Sequence, residues 1–113
     1  MQVEFHHLGL TTRHVPETAA LLESLVGART VSGPHLGHTL VEVGGVRIAL
    51  VPWRTGDPEG RGFGEHLGFA LPASRRSALL ARLEAAGCAV EVVGERLYAR
   101  ALDALVLEFL FTA

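Results

Sequence analysis

The chain has 113 residues, 49% hydrophobic and 19% charged, which is enough apolar material for one packed core and excludes a disordered chain. Ten basic residues, all arginine, against twelve acidic ones give a net charge of −2, which argues against a nucleic-acid or anionic-membrane binder. One cysteine, Cys88, excludes an intrachain disulfide and paired-cysteine metal or redox motifs. No charged-then-apolar leader opens the chain and no apolar run nears the ~20 residues of a membrane span, so a cytoplasmic protein is expected. Cys88 itself lies between a helix-closing glycine and an apolar strand, the setting of a small hydrophobe rather than a nucleophile.

In chain order, residues 3–10 read as a strand followed by threonines. Val15-Pro16-Glu17 starts a helix with proline in its first turn, Leu21, Leu22 and Leu25 form its apolar stripe, and Gly27 closes it. A strand over 28–32 follows, and Gly33-Pro34 is expected to turn the chain. Residues 40–43 and 46–53 read as a hairpin around Gly44-Gly45. Residues 54–64, rich in glycine and charge, read as a linker. Residues 66–71 are the next strand, and Ser74 is expected to cap a helix to about Ala86 with Leu79, Leu80 and Leu83 inward. Strands over 88–93, 96–101 and 105–111 complete the chain.

This order is written twice. His7-Leu8-Gly9-Leu10 recurs as His66-Leu67-Gly68-Phe69 at an offset of 59, and the same offset lays Val46–Val51 on Leu105–Leu110. The fold class is therefore α+β: one domain of two βαβββ repeats, about 1–53 and 65–113 joined by linker 54–64. Helices with a single apolar stripe must cover one face of each sheet, leaving the other faces to close a cleft.

Strand side chains alternate, so Phe5, His7, Gly9 and Thr11 share a face, as do Gly64, His66, Gly68 and Ala70. Several of these neighbours are small, leaving room above the imidazoles. Glu108 is a carboxylate inside the apolar run Leu105–Phe111, where an unpartnered charge is costly. Pairing with an arginine such as Arg47, protonation, or metal coordination would each relieve that cost. His7, His66 and Glu108 form a candidate metal-ligand set, which converges if the two copies pair about a pseudo-twofold axis. Among the other histidines, His6 is expected on the face opposite His7, and His14 in solvent before the helix. His35 and His38 are spare candidates for a ligand or general base, because imidazole titrates near neutral pH. Arg47 shares a face with Ala49 and is a candidate to bind an anionic substrate group, with a salt bridge to Glu108 or Glu42 as the alternative. Trp53 is placed either to line a pocket, as is Phe5, or to shield the core.

The His-Leu-Gly-Leu strand start, the doubled βαβββ order and the terminal Leu-Glu-Phe-Leu strand resemble the vicinal oxygen chelate superfamily, which holds glyoxalases, extradiol dioxygenases and fosfomycin- and bleomycin-resistance proteins. The resemblance spans essentially the whole chain. It implies a curved, cup-like mixed β-sheet with helices outside, a homodimer, and metal ligands from the first and last strands of each copy. Those positions are His7, Ala49, His66 and Glu108, and alanine at 49 departs from the pattern because it cannot ligate. The three remaining ligands match the 2-His-1-carboxylate set that leaves coordination positions open. The resemblance also makes Tyr98 a candidate catalytic residue. It implies a divalent ion (Fe, Mn, Zn, Ni or Co) and a lyase, isomerase or dioxygenase acting on a small oxygenated molecule. The competing expectation is a metal-free binder of small molecules or antibiotics using the same cleft; a third is a domain whose function decayed, beginning with the loss at Ala49.

Overall fold

A proline in a helix's first turn costs no hydrogen bond, and a glycine beyond its last turn can take the left-handed conformation that closes it. Helix α1 (Val15–Val26) is bounded in this way: Pro16 lies in its first turn, and beyond its last turn Gly27 at φ 71° donates its N–H to the Glu23 carbonyl while Ala28 donates to that of Leu22. Its buried residues are Val15, Thr18, Leu22 and Leu25, a helical spacing, while Leu21 stays half-buried at the edge of the stripe. The computed structural model describes residues 6–53, 66–102 and 105–113. The predicted linker 54–64 lies outside the described residues. The chain divides into two units, Met1–Asp57 and Pro58–Ala113.

In the first unit α1 packs on strands β3 (His38–Val43) and β4 (Val46–Pro52) of a four-stranded sheet that also contains β1 (Leu8–Thr12) and β2 (Arg29–His35). The order is β1-β4-β3-β2, with β1 parallel to β4 and the other pairs antiparallel. Val41, Ile48 and Leu50 face the helix and are almost wholly buried. Each such side chain contributes on the order of 1.5–3 kcal/mol by leaving water. Gly44-Gly45 makes the expected tight hairpin. Gly33-Pro34 does not turn the chain. β2 continues through both residues, and the hairpin reverses at Leu36-Gly37. The β2–β3 register slips on both sides of Ser32, and Gly33 (φ 102°) sits so close to the facing strand that a Cβ there would meet the His38 carbonyl oxygen at 2.5 Å. Glycine there serves close approach rather than reversal.

The second unit repeats the plan. Strand β5 (Leu67–Pro72) leads into a single 3-10 turn (Ala73–Arg75) and helix α2 (Arg76–Ala85), then β6 (Ala89–Val93), β7 (Arg96–Ala101) and β8 (Leu105–Thr112), in the order β5-β8-β7-β6. Ser74 is not the cap. It lies in the 3-10 turn, and no side chain bonds the start of α2. Leu79 and Leu83 are buried as expected, Leu80 half-buried, and Phe69 stacks on Phe109 with ring centroids 6.0 Å apart. The duplication is explicit in the registers: Gly9 pairs with Ala49 and Gly68 with Glu108, both across a parallel ladder. Among the described residues no helix is long and apolar enough to cross a membrane.

Candidate functional site

Because β8 alternates, Leu107 and Phe109 share one face of the second sheet and Glu108 turns to the opposite face. Its cross-strand neighbours are Gly68 on β5 and Tyr98 on β7. The carboxylate is 7% exposed and its two oxygens have different partners. Oε2 accepts hydrogen bonds from the Tyr98 hydroxyl at 2.6 Å and from Arg96 Nη1 at 2.9 Å. Oε1 lies 3.3 Å from His66 Nε2. A Cβ at position 68 would sit 3.5 Å from Oε1, so glycine leaves room beside this oxygen. The Tyr98 hydrogen bond holds the Glu108 carboxyl below the usual carboxylate range against the opposing effect of desolvation, with Arg96 and His66 adding to the lowering. The same bond raises the Tyr98 phenol, and the separate hydrogen bond from Arg96 to Glu108 raises the Arg96 guanidinium.

The structure thus brings together His66, Glu108 and Tyr98 of the expected residues, and adds Arg96. Of the routes open to a buried Glu108, arginine pairing is realised, through Arg96 rather than Arg47. Arg47 Nε lies 3.6 Å from Glu42 Oε2, and Glu42 Oε1 accepts from Arg29 Nη2 at 3.0 Å; the three residues are cross-strand neighbours. Arg96 has a register explanation. The β7–β8 connection, residues 102–104, is one residue longer than Gly44-Gly45, so Tyr98 matches Leu40 and Arg96 matches His38 at an offset of 58, not 59. Alternation on β7 places Arg96 on the Tyr98 face, a signal present in the sequence.

In the first unit the equivalent row is Gly9, Ala49 and Leu40. Among the described residues a Cβ at Gly9 would meet nothing within 4 Å, so where the second unit holds a carboxylate the described part of the first leaves space. His7 lies just before β1 and is exposed. His6 does not face away from it: the two Nδ1 atoms are 2.8 Å apart in an edge-on ring contact. Both residues precede the strand, where alternation does not govern direction. His38 is exposed at the start of β3, opposite His35. Trp53 is half-buried under the Arg13 guanidinium, 4.3 Å from the ring centroid. Its Nε1 is, among the described residues, the buried side-chain polar atom without a hydrogen-bond partner. Phe5 lies outside the described residues. Burial raises the Cys88 thiol above its ordinary value, which disfavours the thiolate.

Among the described residues of neither unit do three His, Cys, Asp or Glu side chains gather as a metal-holding group by themselves. The second unit supplies two donors, imidazole and carboxylate. Ligands about 2.1 Å from one ion at angles near 90–110° lie ~3.0–3.4 Å apart, so the 3.3 Å between His66 Nε2 and Glu108 Oε1 fits a shared cation.

No family model and no curated protein matches the sequence. Solved structures do match. A variant of the fosfomycin resistance protein FosX from Listeria monocytogenes, complexed with Mn(II) and 1S,2S-dihydroxypropylphosphonic acid, is similar at TM-score 0.80 and 15% identity, covering 100% of this chain and 93% of that one. FosX from Mesorhizobium loti is similar at TM-score 0.79 and 14% identity over 100% and 95%. A possible glyoxalase from Bacillus cereus is similar at TM-score 0.78 and 21% identity over 96% and 99%. With two βαβββ units in the same order and these likenesses, the chain has the fold of the vicinal oxygen chelate superfamily.

Proposed function

We propose that the protein is a cytoplasmic, divalent-metal-dependent enzyme of the lyase, isomerase or dioxygenase type, acting on a small molecule with adjacent oxygens. The observation that carries this reading is the buried Glu108 carboxylate turned with one oxygen toward His66. His66, Glu108 and His7 would hold the ion, and Mn(II) in a structure of the same fold makes manganese the first candidate. A bound divalent cation would act as a Lewis acid on the oxygens of the substrate. Gly9 and Ala49 leave space in the first unit, and Arg47 and Trp53 are proposed to contact the substrate there. His38 and Tyr98 are the candidate acid-base groups, Tyr98 having its hydroxyl 2.6 Å from the carboxylate.

A second reading, a metal-free binder of a small molecule or antibiotic, is favoured by one specific fact: Arg96, Tyr98 and His66 already satisfy Glu108 without a cation. Metal analysis of protein purified without a chelating tag separates the two. The enzyme reading expects one divalent ion per chain, lost in both His7→Ala and His66→Ala. Metal-free wild type that cannot be loaded supports the binder, and stoichiometric metal in His7→Ala places the ligands elsewhere.

A further inference from the structure

Resting on the metal-dependent reading, we infer that Arg96 and Tyr98 are positioning residues that saturate Oε2 of Glu108, so that the carboxylate offers only Oε1, beside His66, to a metal ion. An ionised carboxylate has about four lone-pair directions, two on each oxygen. On Oε2 both are taken, one by the Tyr98 hydroxyl at 2.6 Å and one by Arg96 Nη1 at 2.9 Å. The bonds are charge-assisted, the stronger class, because their acceptor is ionised. Bidentate coordination would require breaking at least one of them.

The arrangement is set by the ladder rather than by flexible side chains alone. Tyr98 lies directly opposite Glu108 in the β7–β8 register, and Arg96 is its same-face neighbour two residues along β7. Gly68 on the other flank puts no side chain against Oε1, whose neighbour is His66 Nε2 at 3.3 Å. The carboxylate is thus held through Oε2 from β7, with Oε1 turned to His66. In the first unit the corresponding residues are His38, Leu40 and Ala49, with neither the carboxylate nor the phenol. Positioning of this kind belongs to one repeat only, so it is a property of this site and not of the fold.

Groups that orient a ligand carboxylate typically change metal affinity by about 10–100-fold when removed. The test is Mn(II) titration of the full chain, following the free-ion electron paramagnetic resonance signal, with circular dichroism and urea unfolding run on each variant. Arg96→Ala and Tyr98→Phe are each expected to weaken Mn(II) binding about 10–100-fold, with Arg96→Lys recovering part of the loss because a cationic donor remains. Tyr98→Phe removes only a hydroxyl and keeps the ring, so it reports even if Arg96→Ala fails to fold. Unchanged Mn(II) affinity in both variants, whether urea stability falls or a substrate KM rises instead, overturns the inference and leaves the metal reading standing. Absence of Mn(II) binding in the wild type overturns the metal reading, and the inference falls with it.

Discussion

Ala49 and Glu108 occupy matched places beside glycines on parallel ladders, yet one is a methyl group and the other a buried charge. The open space at Gly9 gives a longer side chain at position 49 room to stand. Ala49→Glu is therefore expected to fold, to raise Mn(II) affinity by supplying a fourth ligand, and to lower any oxygenase activity by filling an open position. Unchanged affinity on titration means that position 49 does not face the metal. Glu108 itself makes stability depend on pH. Its carboxyl titrates lower in the folded chain than in the unfolded one, chiefly through the Tyr98 bond. Its stabilisation is thus complete above the ordinary glutamate value of about 4.3 and is lost as pH falls through the lower folded value. Urea unfolding of chelator-treated protein between neutral and acid pH should show wild type losing more stability than Glu108→Gln; parallel losses would mean the shift is absent. Tyr98, raised in the folded chain, contributes in the opposite sense, its share being lost as pH rises through its folded value.

At the scale of elements, α1, the Gly44-Gly45 hairpin and the βαβββ succession along the chain were legible because proline, glycine and apolar spacing act locally. Gly33-Pro34 and Ser74 were not, for a common reason: both carry real turn or cap chemistry, but the neighbouring strand register and the turn after Pro72 decide where the chain reverses or the helix begins. The actual β2–β3 reversal places Leu36 at φ 52° and 84% exposed, a left-handed conformation for a side chain that packs on little. Relief of that conformation outweighs the entropy glycine adds to the unfolded chain, so Leu36→Gly should stabilise by up to about 1 kcal/mol. A lower thermal midpoint for the variant would show that Leu36 makes contacts worth more than its backbone costs.

For the whole molecule the doubled His-Leu-Gly motif was the most informative feature, because one offset aligned both parallel ladders. It carried the fold and the pair His66–Glu108. It did not carry Arg96, whose match shifts by one residue after the longer β7–β8 turn, nor the His6–His7 contact, which precedes any strand. β2 and β6 each end a sheet, and β6 exposes Val92 at 57% and Val93 at 51%. Unpaired strand edges tend to be covered in natural proteins. With the family resemblance this supports a homodimer, expected by light scattering at micromolar concentration; a monomer there refutes it.

The single tryptophan and single tyrosine give these two repeats separate optical labels. Trp53 belongs to the first unit, its ring under a guanidinium and its indole N–H shielded with no partner among the described residues. Tyr98 belongs to the second, its hydroxyl bound to the very carboxylate proposed to take metal. Native chromophores therefore report each half without any introduced dye. Units of under 60 residues are marginal alone, so urea melts read by indole emission and by phenol absorbance are expected to coincide. Cation loading should perturb the phenol spectrum directly, and any accompanying change in indole emission would register the response of the other repeat.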